Sequence, residues 1–172
     1  TNLVLVVCPT TNTLTLFNAD DFSKRKDIML EGGPEKIISY VDGETAYITS
    51  RNQNSIFKFN SVTKAVEKTI PVGLVPTSLT ISKDGKWLYV ANGKSNTISI
   101  IDLNKEEVVD DIELPIETQF PGDISLFGDD RWLVVTSETT NTISFIDLNI
   151  RSVIMKLDVG ATTHGVYIIN DK

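Results

Sequence analysis

A phrase of nine residues occurs twice in this chain and constrains the fold more than any other feature. Residues 96–104 read NTISIIDLN and residues 141–149 read NTISFIDLN, with one difference. Two weaker copies are NTLTLFN at 12–18 and NSIFKFN at 54–60. The asparagines that open the four copies are 42, 42 and 45 residues apart. A regular period of this length indicates a chain built from repeated supersecondary units.

Each unit has the same internal plan, which is clearest in the third. This unit contains four short segments in which polar and apolar residues alternate or β-branched and aromatic residues predominate. They are PTSLTIS (76–82), WLYVAN (87–92), TISIID (97–102) and VVDDIEL (108–114). Turn residues separate them, including the Asp84-Gly85 pair that favours a hairpin. No segment shows a sustained helical period. Each unit is therefore predicted to be one antiparallel sheet of four strands, named a to d from the centre outward.

A single sheet of this size cannot bury both of its faces, and radial stacking of identical sheets solves that problem. The repeat therefore predicts an all-β fold, a β-propeller of four-stranded antiparallel blades with about four blades in this chain. The predicted division of the single domain, 1–172, is blade 1 at 3–33 with 163–172 or a partner strand, blade 2 at 34–75, blade 3 at 76–120 and blade 4 at 121–162.

The chain is out of phase with its blades, because it begins with a strand b (3–8) and ends with a predicted strand a (163–169), which makes sixteen strands in all. The first strand, LVLVV, would leave a long apolar edge, and such an edge needs a partner. Three arrangements remain open. The chain is part of a larger ring of seven or eight blades, it pairs with a second copy in an eight-bladed ring, or it closes alone as four blades.

Composition excludes several classes of partner. The formal charge of −7 and the pI near 4.7 disfavour nucleic acid, since an acidic surface repels phosphates. No apolar run approaches the roughly 20 residues of a membrane-spanning helix, so membrane insertion is not expected. A single cysteine, Cys8, excludes an intrachain disulfide. The chain opens at Thr1 without a methionine, and we therefore expect it to be a processed or excised piece.

The second strands Tyr89-Val90-Ala91-Asn92 and Tyr47-Ile48-Thr49-Ser50 resemble the YVTN motif of the YVTN β-propeller repeat family. The block from Asp84 to Pro115 is similar to the whole repeat, and Gly73 to Pro76 fits the family's Gly-x-x-Pro link. Blade 1 departs most, with Cys8-Pro9 after its strand b. The resemblance covers nearly the whole chain and is strongest over 70–160.

This resemblance implies a propeller of usually about seven blades, often on the cell surface or in the periplasm, so an envelope, periplasmic or secreted location is expected. Relatives in such families include surface-layer proteins and, more distantly, sugar-lactone hydrolases and haem- or quinone-bearing oxidoreductases. No complete catalytic motif of these relatives is found here, so neither a cofactor nor a metal is expected.

Candidate contact residues lie in the d–a and b–c loops, which by analogy with other propellers share one face at the mouth of the channel. The three-residue excess of the third period falls in PIETQFP (115–121). It adds Glu117, Thr118, Gln119 and Phe120, which favour a binding loop. The alternative is loop drift, because loops lengthen at small energetic cost.

Other candidates are His164, the only histidine, and a set of charges at equivalent loop positions. His164 follows Thr163 and would act as a metal or haem ligand or a general base, although a lone histidine makes a poor metal site. It is otherwise an ordinary variant of the strand start. The charges would hold a small polar ligand or a peptide, or form a solvated rim. They are Glu35, Lys36, Arg51, Lys94, Asp123 and Glu138.

The recurring residues of the repeat are predicted to be structural. Each repeated asparagine should occupy a turn, tolerate left-handed backbone and bond its own turn. Asp102 and Asp147 should cap the turns after strand c, and Trp87 and Trp132 should pack between blades. The sequence thus predicts a protein- or ligand-binding scaffold acting through its d–a and b–c loop face. The alternative is an enzyme or cofactor-binding propeller, of lactonase or haem/quinone oxidoreductase type, with a site at the channel mouth around His164.

Overall fold

A computed structural model describes residues 2–160, 163 and 165–168, and this part of the chain is folded into strands without a helix. None of it therefore forms a helix that could cross a bilayer. Blade 1 has three strands: β1 (Leu3–Cys8), β2 (Thr13–Asn18) and β3 (Lys24–Met29). Blade 2 has four: β4 (Pro34–Ser39), β5 (Thr45–Ser50), β6 (Ser55–Asn60) and β7 (Ala65–Pro71).

Blades 3 and 4 repeat the four-stranded plan of blade 2. Blade 3 contains β8 (Pro76–Ile81), β9 (Trp87–Asn92), β10 (Thr97–Asp102) and β11 (Glu107–Glu113). Blade 4 contains β12 (Pro121–Phe127), β13 (Trp132–Ser137), β14 (Thr142–Asp147) and β15 (Ser152–Asp158). Every neighbouring pair is antiparallel and sequential in the chain. The predicted all-β fold, a partial propeller of about four blades, is confirmed.

The prediction of a sixteenth strand over 163–169 is wrong for the residues that the structure describes. Residues 163 and 165–168 are not in a strand. The amide of Val166 donates to the side chain of Asp123 at 3.3 Å rather than to a strand backbone. The remaining residues of that segment lie outside the described part, so the described residues hold fifteen strands.

The core consists of three apolar clusters, each formed by the facing sides of two neighbouring blades. Leu14 and Leu16 of blade 1 meet Phe59 of blade 2. Tyr47 and Ile56 of blade 2 meet Leu88, Val90 and Ile101 of blade 3. The third cluster joins blades 3 and 4 through Tyr89, Ala91, Ile98, Ile124, Leu133 and Val135. Full burial of one such aliphatic side chain contributes about 1.5–3 kcal/mol, so the blades hold one another together.

The two terminal blades keep one apolar side open. In β1, Leu3, Leu5 and Val7 pack towards blade 2. Val4 and Val6 point to the other face, where no described blade covers them, and are 44% and 39% exposed. On β15, Met155 and Leu157 are 53% and 46% exposed. The exposed edge expected from LVLVV is therefore present in the structure.

The predicted turn caps are confirmed. Asp102 Oδ1 accepts hydrogen bonds from the amides of Asn104 at 2.9 Å and Lys105 at 3.3 Å. Asp147 Oδ1 accepts from Asn149 at 2.9 Å. Trp87 packs against the cluster between blades 3 and 4 as expected. Trp132 instead lies on the open side of blade 4, stacked on Phe127 at 6.5 Å between ring centroids.

Candidate functional site

The loop face is organised by the four repeated asparagines. Their φ angles are +54° at Asn12, +52° at Asn54, +58° at Asn96 and +55° at Asn141, which confirms the predicted left-handed turns. Each asparagine carbonyl accepts the amide of the residue eighteen positions later, at the end of strand d. These bonds measure 2.7, 2.9, 3.0 and 2.9 Å. The b–c turn thus fixes the start of every d–a link.

The asparagine side chains hold the links as well, which corrects the prediction that they bond their own turns. Asn12 Oδ1 accepts the amide of Gly33 at 2.8 Å, and Asn54 Oδ1 accepts the amide of Val75 at 2.9 Å. Gly33 and Val75 precede the prolines that open the next blade. The side chain therefore clamps a link that begins eighteen residues away, a partner that local turn statistics do not suggest.

The third link, residues 114–120, breaks this clamp. Phe120 stands before Pro121 as Val75 stands before Pro76, and both have positive φ, +53° and +58°. Three extra residues separate Phe120 from Asn96. Asn96 Nδ2 donates to the carbonyl of Leu114 at 2.9 Å, while its Oδ1 is buried without a hydrogen-bond partner. The insertion therefore leaves a hydrogen-bond acceptor unused.

The inserted link is anchored on blade 4 by hydrogen bonds. The Thr118 amide donates to the carbonyl of Pro115 at 2.8 Å, which closes a turn. The Thr118 side chain is fully buried, and its hydroxyl lies 2.8 Å from that of Ser144. The Gln119 carbonyl accepts from the hydroxyls of Ser137 and Thr139. Thr118 thus fixes the link, whereas the Glu117 and Gln119 side chains face solvent.

Phe120 connects the inserted link to the mouth charges. Its ring packs over Gly93, where an added Cβ would meet Phe120 Cε1 at 3.0 Å. The Arg51 guanidinium lies 6.0 Å from the ring centroid, at the outer limit of a cation–π contact. Arg51 Nη1 also donates to both carboxylate oxygens of Glu35, at 3.0 and 3.1 Å. The structure therefore brings Glu35, Arg51 and Phe120 together.

The remaining predicted residues that the structure describes occupy separate positions. Asp123 Oδ1 accepts the Ser78 hydroxyl at 2.6 Å, a bond between the inner strands of blades 3 and 4. The Glu138 amide donates to the Phe120 carbonyl at 3.2 Å, and its side chain lies beside Gly122. Lys36 is exposed. His164 lies outside the described residues.

A cleft of about 460 Å³ opens on this face between blades 3 and 4. Its lining combines one cation, four uncharged polar or backbone groups and three apolar side chains. The lining residues are Gly93, Lys94, Asn96, Leu114, Ile116, Gln119, Phe120 and Thr139. The Lys94 ammonium forms no ion pair with any described residue. The cleft thus presents a cation beside apolar groups, and the unused acceptor of Asn96 is buried in its lining.

Sequence reasoning missed the apolar part of this cleft. Ile116 is 72% exposed although it is a large aliphatic residue, and Thr139 faces it from blade 4. An isoleucine inside a loop insertion, between a proline and a glutamate, was the available signal. Within the described residues no group of three or more His, Cys, Asp or Glu side chains is arranged to hold a metal ion.

Two family models match the chain. The YNCE-like beta-propeller model matches residues 83–172, and the model of the lactonase family of 7-bladed beta-propellers matches residues 10–110. A curated relative, the uncharacterized protein YwhL of Bacillus subtilis (strain 168), is 32% identical in an alignment of 102 residues that covers 55% of this chain and 21% of YwhL.

Solved propellers share the fold. Hydrazine synthase of Kuenenia stuttgartiensis superposes with a TM-score of 0.82 at 24% identity, over 90% of this chain and 45% of that one. A streptogramin B lyase superposes with a TM-score of 0.77 at 16% identity, over 92% of this chain and 51% of the lyase chain. Virginiamycin B lyase from Staphylococcus aureus gives 0.77 at 18% identity, over 92% and 52%. The chain thus spans about half the length of these structures.

The blades, their order and both matches agree. Each family model covers more than half of the 172 residues, and the two overlap across blade 3. The chain therefore belongs to the β-propeller proteins of the YNCE-like and seven-bladed lactonase families.

Proposed function

We propose that this chain is a binding scaffold of the YVTN repeat type, whose contact surface is the d–a and b–c loop face. The observation that carries the proposal is the unused Oδ1 of Asn96 beside the cleft formed by the inserted link. A buried acceptor without a partner costs about 1–3 kcal/mol. A ligand recovers that energy on binding when the Asn96 side chain turns Oδ1 towards the cleft and accepts a hydrogen bond from it.

The chemistry of the cleft suggests the ligand class. Lys94 provides a positive charge without a described ion-pair partner, and Ile116 and Phe120 provide an apolar wall. A short peptide segment of a partner protein fits these groups, since it has amide donors, apolar side chains and, with an aspartate or glutamate, a carboxylate for Lys94. A small polar ligand with the same groups fits equally.

The test is selection of peptides from a random library displayed on phage, with the 172-residue chain as bait. We expect enrichment of peptides that combine an acid with an aliphatic residue. Their affinity should fall by about tenfold in Ile116→Ser and in Lys94→Glu, because each variant removes about 1–2 kcal/mol of contact energy. Both side chains are exposed, so neither variant should change the fold.

The matched control is Ile150→Ser, which replaces a similarly exposed isoleucine (65%) on the opposite face of blade 4. It should leave peptide affinity unchanged. If selected peptides bind the Ile116→Ser and Ile150→Ser variants equally well, the loop face is not the contact surface.

The match to the lactonase family supports a second candidate, an enzyme or cofactor-binding propeller with its site at the channel mouth. An enzyme of this kind requires converging acids and bases or a bound metal. Soaking the protein with divalent metals should then reveal a site that includes His164. Loss of a measured activity in His164→Ala would favour this candidate over the scaffold.

A further inference from the structure

A second cleft lies between blades 3 and 4 on the face opposite the loop site. It measures about 580 Å³ and opens where the a–b and c–d loops meet. Its floor is formed by Trp87, Tyr89, Ile100 and Leu148. Charged residues of both blades surround the opening. The floor is thus aromatic and apolar, and the rim is ionic.

This cleft is open because blade 3 lacks a side chain that fills the same place in blade 2. Tyr40, six residues after Pro34, lies edge-on against Tyr47 at 6.1 Å between ring centroids. Its hydroxyl donates to the carbonyl of Gly85 in blade 3 at 2.9 Å, which seals that junction. The residue six positions after Pro76 is Ser82, which is too small to do this.

Tyr89 lines the open cleft, and its hydroxyl has no protein partner among the described residues. The side chain is 7% exposed. Burial raises the pKa of the Tyr89 phenol, and the carboxylates of Asp130 and Asp84 raise it further. The Arg151 guanidinium, which also lines the cleft, lowers this pKa and does not outweigh the other causes. The phenol therefore stays neutral, with lone pairs free to accept a donor.

Asp130 is the acid of the rim without an ionic partner. Lys83 Nζ pairs with Asp129 at 2.8 Å, Lys86 pairs with Asp84 at 3.1 Å, and Arg151 pairs with Asp110 outside the lining. Asp130 accepts only the backbone amide of Lys83, at 2.6 Å, and forms no ion pair with a described residue. One carboxylate oxygen therefore remains for a ligand.

An equivalent position in blade 4 shows how a cation sits in such a place. Arg131 lies over the ring of Trp132, with Cζ 4.3 Å from the ring centroid. Trp87 stands at the same repeat position, but Lys86 before it pairs with Asp84. No cation of the described residues covers the Trp87 ring.

We propose that this cleft binds an organic cation, a primary ammonium or guanidinium on an apolar body. The cation lies against the Trp87 ring, forms an ion pair with Asp130 and donates a hydrogen bond to Tyr89 Oη. Ile100 and Leu148 receive the apolar body. The site is independent of the loop face and would remain if the function proposed above proved wrong.

The test uses the fluorescence of Trp87 in a Trp132→Phe chain, which leaves a single tryptophan, on the cleft floor. Agmatine, which carries an ammonium and a guanidinium on a butyl chain, should produce a saturable change. Butylurea, a neutral analogue, should not. We expect Asp130→Asn to weaken agmatine binding by about tenfold or more and Tyr89→Phe by about fivefold, the effects of losing one charged and one neutral hydrogen bond.

The matched control is Asp20→Asn, which removes an exposed carboxylate from a c–d turn of blade 1 and should leave affinity unchanged. A second variant, Ser82→Tyr, should close the cleft as Tyr40 closes its counterpart and abolish binding. Equal agmatine affinity in Asp130→Asn and Asp20→Asn would overturn the proposal, as would no saturable binding at millimolar concentration in a chain that melts cooperatively.

The same chemistry reaches the cleft from a free amine or from an arginine of a partner protein. An arginine peptide acetylated at its N-terminus and amidated at its C-terminus distinguishes the two. Tighter binding of agmatine assigns the site to small amines, and tighter binding of the peptide assigns it to a partner's side chain. Failure of both probes would contradict the assignment.

Discussion

Blades 2 and 3 follow one plan and differ where each meets the next blade. At the blade 2–3 junction, Asn54 clamps the short link 72–75 and Tyr40 fills the opposite end. At the blade 3–4 junction, the long link 114–120 leaves Asn96 Oδ1 unpaired, and Ser82 leaves the other end open. The apolar clusters of both junctions are closed. Stability therefore resides in the shared core, and the two clefts for which we propose binding lie where the repeat is broken.

Removal of the asparagine clamp should give the largest difference in stability between the two junctions. Asn54→Ala should destabilise the chain by about 2–4 kcal/mol, because it leaves the Val75 amide without its acceptor and places alanine, which tolerates left-handed backbone less well than asparagine, at a positive φ. Asn96→Ala should destabilise by about 1–2 kcal/mol, since it loses one bond but also removes an unpaired acceptor. Urea unfolding measures both.

Glycine at the two asparagine positions is the control for backbone strain, because glycine accepts positive φ. The Asn54→Gly effect should still exceed that of Asn96→Gly. Equal losses would show that the third link retains the clamp.

The long link adds an anchor that the short link lacks. Thr118→Val keeps the volume but leaves the Ser144 hydroxyl without its partner in a fully buried site, so we expect a loss of about 1–3 kcal/mol. A double-mutant cycle with Ser144→Ala measures the coupling. Additive losses of the two single variants would argue against a direct hydroxyl–hydroxyl bond.

Substituting glycine for the residue before each proline should also distinguish the two links, with a smaller effect on stability. Val75 and Phe120 both have positive φ, so glycine relieves strain of about 1 kcal/mol at each position, partly offset by chain entropy. Val75→Gly should therefore lie within about 1 kcal/mol of neutral. Phe120→Gly should be the more destabilising, because it also removes the contact with Arg51 and the packing on Gly93. The reverse order in thermal melts would show that the Phe120 ring contributes no packing.

The smallest expected effect on stability is the pH dependence that arises from Asp42 in blade 2 and Asp84 in blade 3. It should be the same in kind for both blades. The Ser82 hydroxyl and the Lys86 amide lower the pKa of Asp84 to about 2. Burial raises the pKa of Asp42, but hydrogen bonds from Thr45 outweigh burial and lower it below 3.8. Because folding lowers the pKa of both carboxyl groups, they stabilise the folded chain above pH 4. This stabilisation is lost as the pH falls towards 2.

Urea unfolding between pH 5 and pH 2 checks this prediction. Asp42→Asn and Asp84→Asn should each flatten the loss of stability in acid. An unchanged slope in both variants would mean that neither carboxylate is more acidic in the folded chain.

The strands were predictable from sequence because their signals are local. Alternation and turn residues placed β5, β9 and β13 at the observed bounds, and left-handed asparagines followed from turn chemistry. Long-range partners were not predictable. Asn54 bonds a residue 21 positions away, and the buried Thr118 pairs with Ser144, 26 positions away. Comparison of the repeat units located the insertion. Only the packing in the structure shows that Thr118 anchors it and that Glu117 and Gln119 are exposed.

The second cleft was also not predictable from the sequence, because it results from a side chain that is absent. Ser82 is unremarkable in sequence, and it matters only because Tyr40 fills the same place one blade earlier. Trp87 was correctly predicted to pack between blades, yet one part of it also lines an open cleft. A missing side chain produces no sequence motif, so the cavity was visible only in the structure.

The exchange of the two links tests the central claim most directly. Replacing residues 115–120 with the Gly-Leu-Val of 73–75 restores a short link after Leu114, in front of Pro121. We expect the exchanged chain to unfold cooperatively and to lose its affinity for peptides selected on the parent chain. Full affinity in a cooperatively folding exchanged chain would contradict the claim that the inserted link forms the binding site.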